Sequence, residues 1–199
     1  MGENCLILFI RNPELGKVKT RLAKTMGDEA ALAIYKQLLI HTYQAIKNTK
    51  CDKKIYFSKK IETLEGWNSN YEAEIQIEGD LGEKMFQSIE RQLSQYNKVC
   101  IIGSDCPELT TSIIDDAFSE LDKKDVVIGP ANDGGYYLLG LKKLIPSIFK
   151  NMHWSSESVF SETNHRLKEE NITVGILPEL IDVDTEEDWK LVEKKIMTT

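Results

Sequence analysis

The sequence predicts a single α/β domain, spanning residues 1–199, whose sheet is mostly parallel. Three observations lead to this prediction. Apolar runs typical of strands alternate along the chain with segments of helical periodicity. Two of these runs, Cys5–Ile10 and Val99–Ile102, have no polar interruption, which is typical of parallel strands buried on both faces. No internal repeat, low-complexity tract or linker divides the 199 residues.

The composition indicates a globular protein with a sizeable core, because 41% of the residues are hydrophobic and 29% are charged. A net charge of −7 argues against nucleic acid or an anionic membrane as the main partner. No apolar run approaches the ~20 residues of a membrane span, and the amino terminus lacks a signal-peptide pattern. The four cysteines form no Cys-x-x-Cys pair and the three histidines are scattered, so we expect reduced thiols, no zinc site and a cytoplasmic location.

The first half of the chain is expected to contain three strands and three helices. The predicted strands are Cys5–Ile10, Lys54–Phe57 and Glu74–Ile77. The predicted helices run from Val18 to near Gly27, from a cap at Asp28 to about Asn48, and onward from a capping box formed by Asp80 and Glu83. The apolar stripe of the second helix, which includes Tyr35, is assigned to the core rather than to a site.

The second half continues the alternation. Its predicted strands are Val99–Ile102, Asp125–Pro130, Tyr136–Leu139 and Thr173–Leu177. Three helices are predicted in this half. The first follows a cap at Thr110 or Thr111, the second runs from Ser155 or Ser156 to about Glu170, and the third follows a cap made by Thr185 and Asp188.

Asp105 is the first candidate site residue, because it lies just past a buried strand, where open α/β sheets bind ligands. Gly103 allows a sharp turn and Pro107 prevents the strand from continuing. An acid at this point, with no basic residue close by in the sequence, predicts a metal ligand. The alternative, a cap for the next helix, is weaker because Thr110 and Thr111 are better placed.

Four cations surround the turn after the first strand, in a chain that is acidic elsewhere: Arg11, Lys17, Lys19 and Arg21. This turn is where α/β proteins hold phosphates. Charge-assisted hydrogen bonds contribute ~1.5–3 kcal/mol each, so even two of these side chains would matter to a phosphate ligand. We therefore predict a phosphate site, with a solvated charged surface as the alternative.

Asp182 and Asp184 are a second pair of candidate metal ligands. They alternate in a short segment, so in an extended backbone their side chains project to the same side. Two neighbouring carboxylates repel each other unless a cation or proton lies between them, and Mg²⁺ with carboxylate and phosphate ligands relieves that repulsion. A solvent-facing acidic turn explains this segment equally well.

Two glycine-containing turns complete the candidates. Asp133 lies in an Asn-Asp-Gly-Gly turn at a strand end, so it is a site candidate, although these residues also suit a tight connection. Gly79 and Gly82 suggest a backbone that a ligand approaches closely, while capping alone explains Asp80 between them.

The sequence lacks both Gly-x-Gly-x-x-Gly and the Gly-Lys-Ser/Thr of a P-loop, which disfavours classical dinucleotide-binding and P-loop proteins. Asp182–Thr185 mimics the nucleophile motif of haloacid-dehalogenase-type phosphatases. That motif should follow the first strand, so we reject this match.

Six segments together resemble the glycosyltransferase-A-like nucleotide-diphospho-sugar transferase superfamily. Within it they are most similar to the bacterial "transferase 1" group (DUF2064), which is related to phospholactate guanylyltransferase. In chain order these segments are Phe9–Leu22, Gly79–Met85, Gly103–Pro107, Pro130–Gly140, His153–Ser155 and Asp182–Asp188. The sequence departs from the superfamily in two places. The first loop is not glycine-rich, and Gly-Ser-Asp-Cys-Pro holds one acid instead of Asp-x-Asp.

The resemblance implies a three-layer α/β/α fold with a mixed sheet and a nucleotide over its amino-terminal half. The residues implied to contact the phosphates of the nucleotide are Arg11, Lys19 and Arg21. Those implied to border its base and ribose are Gly79, Asp80 and Gly82. We add Lys17 and Ser104 to the predicted nucleotide-binding set. The implied metal ligands, for Mg²⁺ or Mn²⁺, are Asp105 with Asp182 or Asp184. The implied acceptor side consists of Asp133, Gly134, Gly135, Tyr136 and Trp154.

The reaction predicted first is metal-dependent transfer of a glycosyl group from a nucleotide-diphospho-sugar to a small acceptor. In this reaction Lys19, Arg21 and the metal at Asp105 stabilise the leaving diphosphate, and Asp133 orients the acceptor or acts as a general base. The alternative, which the four cations favour, joins an NTP to a small phosphorylated metabolite and releases pyrophosphate. A nucleotide-binding module without turnover is the third possibility. The sequence determines neither the base, sugar and acceptor nor the oligomeric state.

Overall fold

The apolar runs of the sequence form the centre of a seven-stranded sheet in the structure, a computed structural model that describes residues 2–68 and 71–196. The strands are β1 (Gly2–Ile10), β2 (Asp52–Phe57), β3 (Glu72–Ile75), β4 (Tyr96–Ile102), β5 (Val126–Pro130), β6 (Tyr136–Leu141) and β7 (Val174–Ile176). The helices are α1 (Thr20–Met26), α2 (Asp28–Ile46), α3 (Leu81–Leu93), α4 (Thr111–Glu120), α5 (Val159–Glu169) and α6 (Glu186–Ile196), and Pro146–Ile148 forms a 3₁₀ turn.

The strands are arranged in the order β3-β2-β1-β4-β6-β5-β7. Strand β1 pairs in parallel with both β2 and β4, and β5 pairs in parallel with β7. Among the described strands, β6 alone is antiparallel to its neighbours, β4 and β5. The predicted mixed, mostly parallel sheet is therefore confirmed. The carboxyl ends of β1, β2, β4, β5 and β7 lie at one edge of this sheet, which is the edge where parallel sheets bind ligands.

Helices cover both faces of the sheet, as the doubly buried strands require. In β1, Leu6, Leu8 and Ile10 pack into the apolar cluster on the face covered by α2 and α4. The alternating residues Cys5 and Ile7 belong to the cluster on the opposite face, covered by α3 and α5. The predicted three-layer α/β/α architecture is confirmed.

A third apolar cluster joins α1, α2 and α6 beyond these layers. Leu22 of α1 and Val192 of α6 are fully buried in it, together with Val183 from the segment before α6. Apolar burial contributes roughly 25 cal/mol per Å². This cluster therefore anchors the segment that contains Asp182 and Asp184 beside the start of α1.

Several predicted boundaries shift in the structure. Strand β3 ends at Ile75 rather than Ile77, and α1 begins at Thr20 rather than Val18. Gly27, not Asp28, occupies the cap position of α2, and Asp28 is its first helical residue. Helix α5 begins at Val159 instead of Ser155 or Ser156, because Ser155 has a φ of 64°, in the left-handed region that a helix cannot include.

The predicted caps of α3 and α4 are confirmed. Asp80 and Glu83 form a reciprocal capping box at α3, and the Thr110 side chain accepts a hydrogen bond from the Ile113 amide at α4. All four cysteines are free thiols. In the part of the chain that the structure describes, no helix has the length and apolarity needed to cross a membrane.

The cap of α6 is built by Asp188. Its carboxylate accepts hydrogen bonds from the amide and hydroxyl of Thr185, each at 2.8 Å, and from the Asp184 amide at 3.2 Å. Burial acts to raise the pKa of Asp188, but these hydrogen bonds together outweigh it and hold the pKa below its ordinary value of 3.8. The ionised form is therefore the stabilising one.

We expect Asp188→Ala to lower the free energy of unfolding at pH 7 by about 1 kcal/mol, the usual effect of losing a cap. Because the folded pKa lies below the unfolded one, this contribution is complete above pH 3.8 and is lost as the pH falls through the folded pKa. Urea unfolding between pH 7 and pH 3 checks both statements. Glu187→Ala, at an exposed position of the same turn, is the matched control. A difference that stays constant down to pH 3 would contradict this assignment.

Candidate active site

The candidate site lies at the carboxyl edge of the sheet, where three distant segments meet. The loop after β1 supplies Lys19, the turn after β4 supplies Asp105, and the segment before α6 supplies Asp182. The Val183 amide donates a hydrogen bond to the Asp105 carbonyl at 3.0 Å, which joins two of these segments directly. Since Val183 is buried in the third apolar cluster, the flanking acids Asp182 and Asp184 project away from the core.

The Lys19 ammonium is at the centre of the site. Its Nζ atom lies 2.9 Å from Oδ1 of Asp105 and 3.7 Å from Oδ1 of Asp182, and only 7% of the Lys19 side chain is exposed. Lys19 has a left-handed backbone, with φ 47° and ψ 48°, at the residue before α1. Backbone strain of this kind is concentrated at functional sites and costs about 1–3 kcal/mol.

Negative charge exceeds positive charge around this ammonium. Burial and the neighbouring Asp105 carboxylate raise the pKa of Asp182 even though Lys19 acts to lower it. Asp133 and Asp184 add to the increase. Burial acts to lower the pKa of Lys19, but Asp105 and Asp182 together raise it above its ordinary value. The ammonium stays charged, and it does not neutralise the acids around it.

Asp184 has a separate partner. Its Oδ2 atom lies 2.7 Å from Nη1 of Arg21, whose side chain is largely exposed. Within residues 2–68 and 71–196, no three His, Cys, Asp or Glu side chains are arranged to hold a metal ion. The three acids predicted from the sequence as possible metal ligands are thus divided, with Asp105 and Asp182 on Lys19 and Asp184 on Arg21. Two carboxylates still suit Mg²⁺, which usually takes one or two from the protein and completes its shell with water and substrate phosphates.

A buried tyrosine supports the site from behind. The hydroxyl of Tyr35 accepts a hydrogen bond from the Arg11 amide, donates one to the Arg11 carbonyl, and lies 3.3 Å from Oγ of Ser104. Ser104 is buried too, so its hydroxyl lies beneath the surface of the site. Burial raises the pKa of Tyr35 and keeps the hydroxyl protonated. Sequence reasoning assigned Tyr35 to the core, although a tyrosine in an aliphatic stripe indicates that its hydroxyl needs a polar partner.

Asn12 was not predicted at all, yet it connects the loop after β1 to the loop after β2. Its Oδ1 atom accepts hydrogen bonds from Ser58 Oγ and from the amides of Lys59 and Lys60, and its Nδ2 atom donates to the Lys60 carbonyl at 2.8 Å. Asn12 is only 3% exposed. These hydrogen bonds place Lys59 and Lys60 near Arg11. The sequence did not predict this arrangement, because the loop after β2 shows neither helical nor strand periodicity.

The predicted nucleotide-side and acceptor-side residues meet at α3. A Cβ atom on Gly82 would overlap the indole of Trp154, so only glycine allows this contact. Gly79 has a φ of 131°, and the Asp80 carboxylate caps α3, as the alternative interpretation of Asp80 predicts. A cleft of about 520 Å³ opens beside this contact. Its walls are formed by Ile77, Glu78, Asp80, Gly82, Glu83, Phe86, Gln87, Phe149, Lys150 and Asn151.

The turn between β5 and β6 has both a structural and an electrostatic part. Asp133 Oδ1 accepts a hydrogen bond from the Gly135 amide at 2.9 Å, and Gly134, with a φ of 84°, packs against the backbone of Glu157. Asp133 is exposed and close enough to raise the pKa of Asp182. Tyr136, in contrast, packs into the apolar cluster under α3 and α5, with its hydroxyl buried.

Asn132, which sequence analysis did not single out, connects this turn to the acids. Its Oδ1 atom accepts a hydrogen bond from the Asp182 amide at 2.8 Å. The turn therefore helps to hold Asp182 in place, while Asp133 contributes charge.

The chain is similar to known proteins over most of its length. Residues 39–156 match the model of the family described as "Uncharacterized protein conserved in bacteria (DUF2064)". The 2-phospho-L-lactate guanylyltransferase of Methanothermobacter thermautotrophicus is 26% identical over 175 residues, covering 85% of this chain and 76% of that protein.

Two solved structures share the fold. A Desulfovibrio desulfuricans G20 protein, provisionally designated a nucleotide-diphospho-sugar transferase, superposes with a TM-score of 0.90 at 30% identity, covering 98% of this chain and 88% of that one. The manganese complex of Rv0371c from Mycobacterium tuberculosis has a TM-score of 0.55 at 10% identity, covering 100% and 99%, a likeness of fold alone. The chain thus belongs to the DUF2064 family, as its sequence motifs predict, and is a transferase of the nucleotide-diphospho-sugar transferase fold.

Proposed function

We propose that this protein is a divalent-metal-dependent nucleotidylyltransferase that joins an NTP to a small phosphorylated metabolite and releases pyrophosphate. The observation that carries this proposal is the buried contact of the Lys19 ammonium with Asp105 and Asp182, in a setting with excess negative charge. Such a site suits a cation and the charged phosphates bound to it. The similarity to a guanylyltransferase points in the same direction.

Charge on the neighbouring surface favours a triphosphate as the substrate. Arg11 and Lys17 are exposed and form no ion pair within the described residues. Lys59 and Lys60, placed beside them by Asn12, pair with Glu14 and Glu62 in exposed contacts. Exposed pairs of this kind contribute only about 0–1 kcal/mol, so phosphate oxygens can replace these partners at little cost. These four cations match the high negative charge of a triphosphate.

The absence of a well-placed base among the described site residues also favours nucleotidylyl transfer. A hydroxyl acceptor in glycosyl transfer has to lose a proton. Asp133 is the candidate base, and it is exposed and already accepts the Gly135 amide. A phosphate acceptor is anionic before it reacts, so positioning and charge stabilisation suffice.

In the proposed reaction, an oxygen of the acceptor phosphate forms a bond to the α-phosphorus of the NTP while the bond to the β-phosphate oxygen breaks. Pyrophosphate leaves with that electron pair. Lys19 and Arg21 stabilise the charge that develops on it, and Asp105 and Asp182 would hold the metal. A bound Mg²⁺ or Mn²⁺ supplies Lewis-acid polarisation of the phosphate oxygens. We assign Asp133 and Trp154 to the acceptor side, as the family resemblance implies.

Glycosyl transfer from a nucleotide-diphospho-sugar remains the second candidate, because the solved structure at 30% identity is designated a transferase of that kind. The two reactions leave different products. One releases pyrophosphate from an NTP, and the other releases a nucleoside diphosphate from a nucleotide sugar.

Product analysis tests the proposed reaction directly. We expect Mg²⁺ and one NTP to raise the melting temperature, and a phosphorylated acceptor to trigger release of pyrophosphate visible by ³¹P NMR. Ligand at a hundredfold excess over its Kd stabilises by ~2.7 kcal/mol, which a thermal scan detects. If nucleotide sugars alone stabilise the protein and a nucleoside diphosphate accumulates, the assignment is wrong and glycosyl transfer replaces it.

Asp105→Asn tests the metal site. We expect kcat to fall by roughly 100-fold or more, since the metal loses a carboxylate ligand and the transition state loses the positive charge that the metal would supply. Steady-state kinetics across a Mg²⁺ titration measures this effect, and a thermal scan checks folding. Asp116→Asn, an exposed acid on α4, is the matched control and should keep wild-type activity. Unchanged activity and metal dependence in Asp105→Asn would exclude this residue as a ligand.

Asn12→Ala tests the loop that contains Lys59 and Lys60. The substitution removes the hydrogen bonds that the Asn12 side chain makes to Ser58, Lys59 and Lys60, so the backbone that carries the two lysines is held less firmly. We expect KM for the NTP to rise about tenfold, equivalent to ~1.4 kcal/mol, with kcat changed much less. Asn48→Ala, at an exposed position after α2, should leave both constants unchanged. A fall in kcat alone would argue against a role in nucleotide binding.

A further inference from the structure

One cation is already present where the proposed metal would bind. The Lys19 Nζ atom lies between Asp105 and Asp182, at 2.9 Å and 3.7 Å from their Oδ1 atoms. The shorter distance is typical of a charge-assisted hydrogen bond, and the longer one is a looser electrostatic contact. The ammonium therefore partly satisfies both carboxylates.

The backbone of Lys19 is held at this position by its neighbours. Val18 and Leu22 are buried at 2% and 0% exposure, on either side of Lys19 in the sequence. They fix the chain, so that Lys19 retains its left-handed conformation. Strained conformations of this kind persist where the surroundings enforce them, and they are common at switch regions. The ammonium of Lys19 is attached through a flexible stem of four carbons, so it can move while the backbone stays in place.

Other charges around the ammonium favour its exchange for a stronger cation. Asp133 and Asp184 raise the negative potential at Asp182, and Arg21 pairs with Asp184 rather than with the two inner acids. A single positive charge thus serves two partly buried carboxylates. A divalent ion provides twice that charge to the same oxygens, and it repels an ammonium at the same position.

We propose that Lys19 is the resident cation of this site, and that its ammonium competes with the divalent metal for Asp105 and Asp182. This inference rests on the proposed metal site and adds a second state of Lys19. In that state the ammonium leaves the acids and pairs with the substrate's phosphates. Metal binding is consequently weak until the nucleotide arrives with phosphates that accept the displaced ammonium. Metal and nucleotide then strengthen each other's binding by the same factor, as linkage requires.

Calorimetric titration of nucleotide-free protein with Mn²⁺ tests this competition. We expect Lys19→Met to bind Mn²⁺ about tenfold or more tightly than wild type. A neighbouring cation weakens proton binding to a carboxylate by about one to three pKa units, and the Lys19 ammonium should oppose a metal ion in the same way. Lys19→Arg, which keeps a cation between the acids, should not gain affinity. Lys24→Met, on the exposed face of α1, is the matched control and should behave as wild type.

A labelling measurement on wild-type protein keeps the test independent of how the variants fold. An amine-reactive reagent with peptide mass spectrometry reports access to Lys19, which is almost inaccessible when paired. We expect saturating Mg²⁺ to increase labelling of Lys19 several-fold and to leave that of Lys24 unchanged.

Three results would overturn the inference, and they differ in what they say about the proposed function. If wild-type protein binds Mn²⁺ but Lys19→Met binds it no more tightly, or if Mg²⁺ leaves Lys19 labelling unchanged, the competition is disproved and the metal site stands. If no variant binds Mn²⁺ even with an NTP present, the metal site and the proposed function fail together with the competition.

Discussion

The architecture of the candidate site depends on one buried ammonium. Removing a charge from water is costly unless oppositely charged and hydrogen-bonding groups surround it, and Lys19 meets that condition with Asp105 and Asp182. These three residues come from segments that are distant in the sequence, so their contact joins three loops. The Val183–Asp105 backbone hydrogen bond and the apolar cluster around Leu22 and Val192 hold the three segments together.

A second, uncharged layer supports this arrangement. Tyr35 and Asn12 are almost fully buried, and their polar atoms bind the backbone of loops instead of facing a ligand. Hydrogen bonds in a poorly hydrated interior are strong, and leaving one of their partners unpaired is costly. The backbone of the loops after β1 and β2 is therefore held rigidly. The exposed lysines on these loops, Lys17, Lys59 and Lys60, consequently start from fixed backbone positions.

Most of the fold was predictable from the sequence because it follows from short-range patterns. Apolar runs without interruption marked β1 and β4, and the capping residues Asp80, Thr110 and Thr185 marked three helix starts. The predicted start of α5 was wrong because the left-handed backbone at Ser155 lies outside a helix, and α5 begins only at Val159.

The site was predictable only in its list of charged residues. Asp105 and Lys19 were identified from their positions after strands, and Asp182 was identified from its alternation with Asp184. The sequence did not predict which cation contacts which acid. Lys19 lies between Asp105 and Asp182, and Asp184 pairs with Arg21, because of distances across the fold that no local pattern encodes. Asn12 and Tyr35 were missed for the same reason, because their partners are distant in the sequence.

The position of Asp182 in the sequence, long after Lys19 and Asp105, has a consequence during synthesis of the chain. Lys19 and Asp105 leave the ribosome well before Asp182, whose segment docks through the Leu180 amide on Pro130 and the Asp182 amide on Asn132. Until then the sheet from β1 to β6 can assemble, but its carboxyl edge lacks one of its two inner acids. A nascent chain thus exposes an incomplete pocket, and it gains the complete charge arrangement only after α6 has packed beside α1.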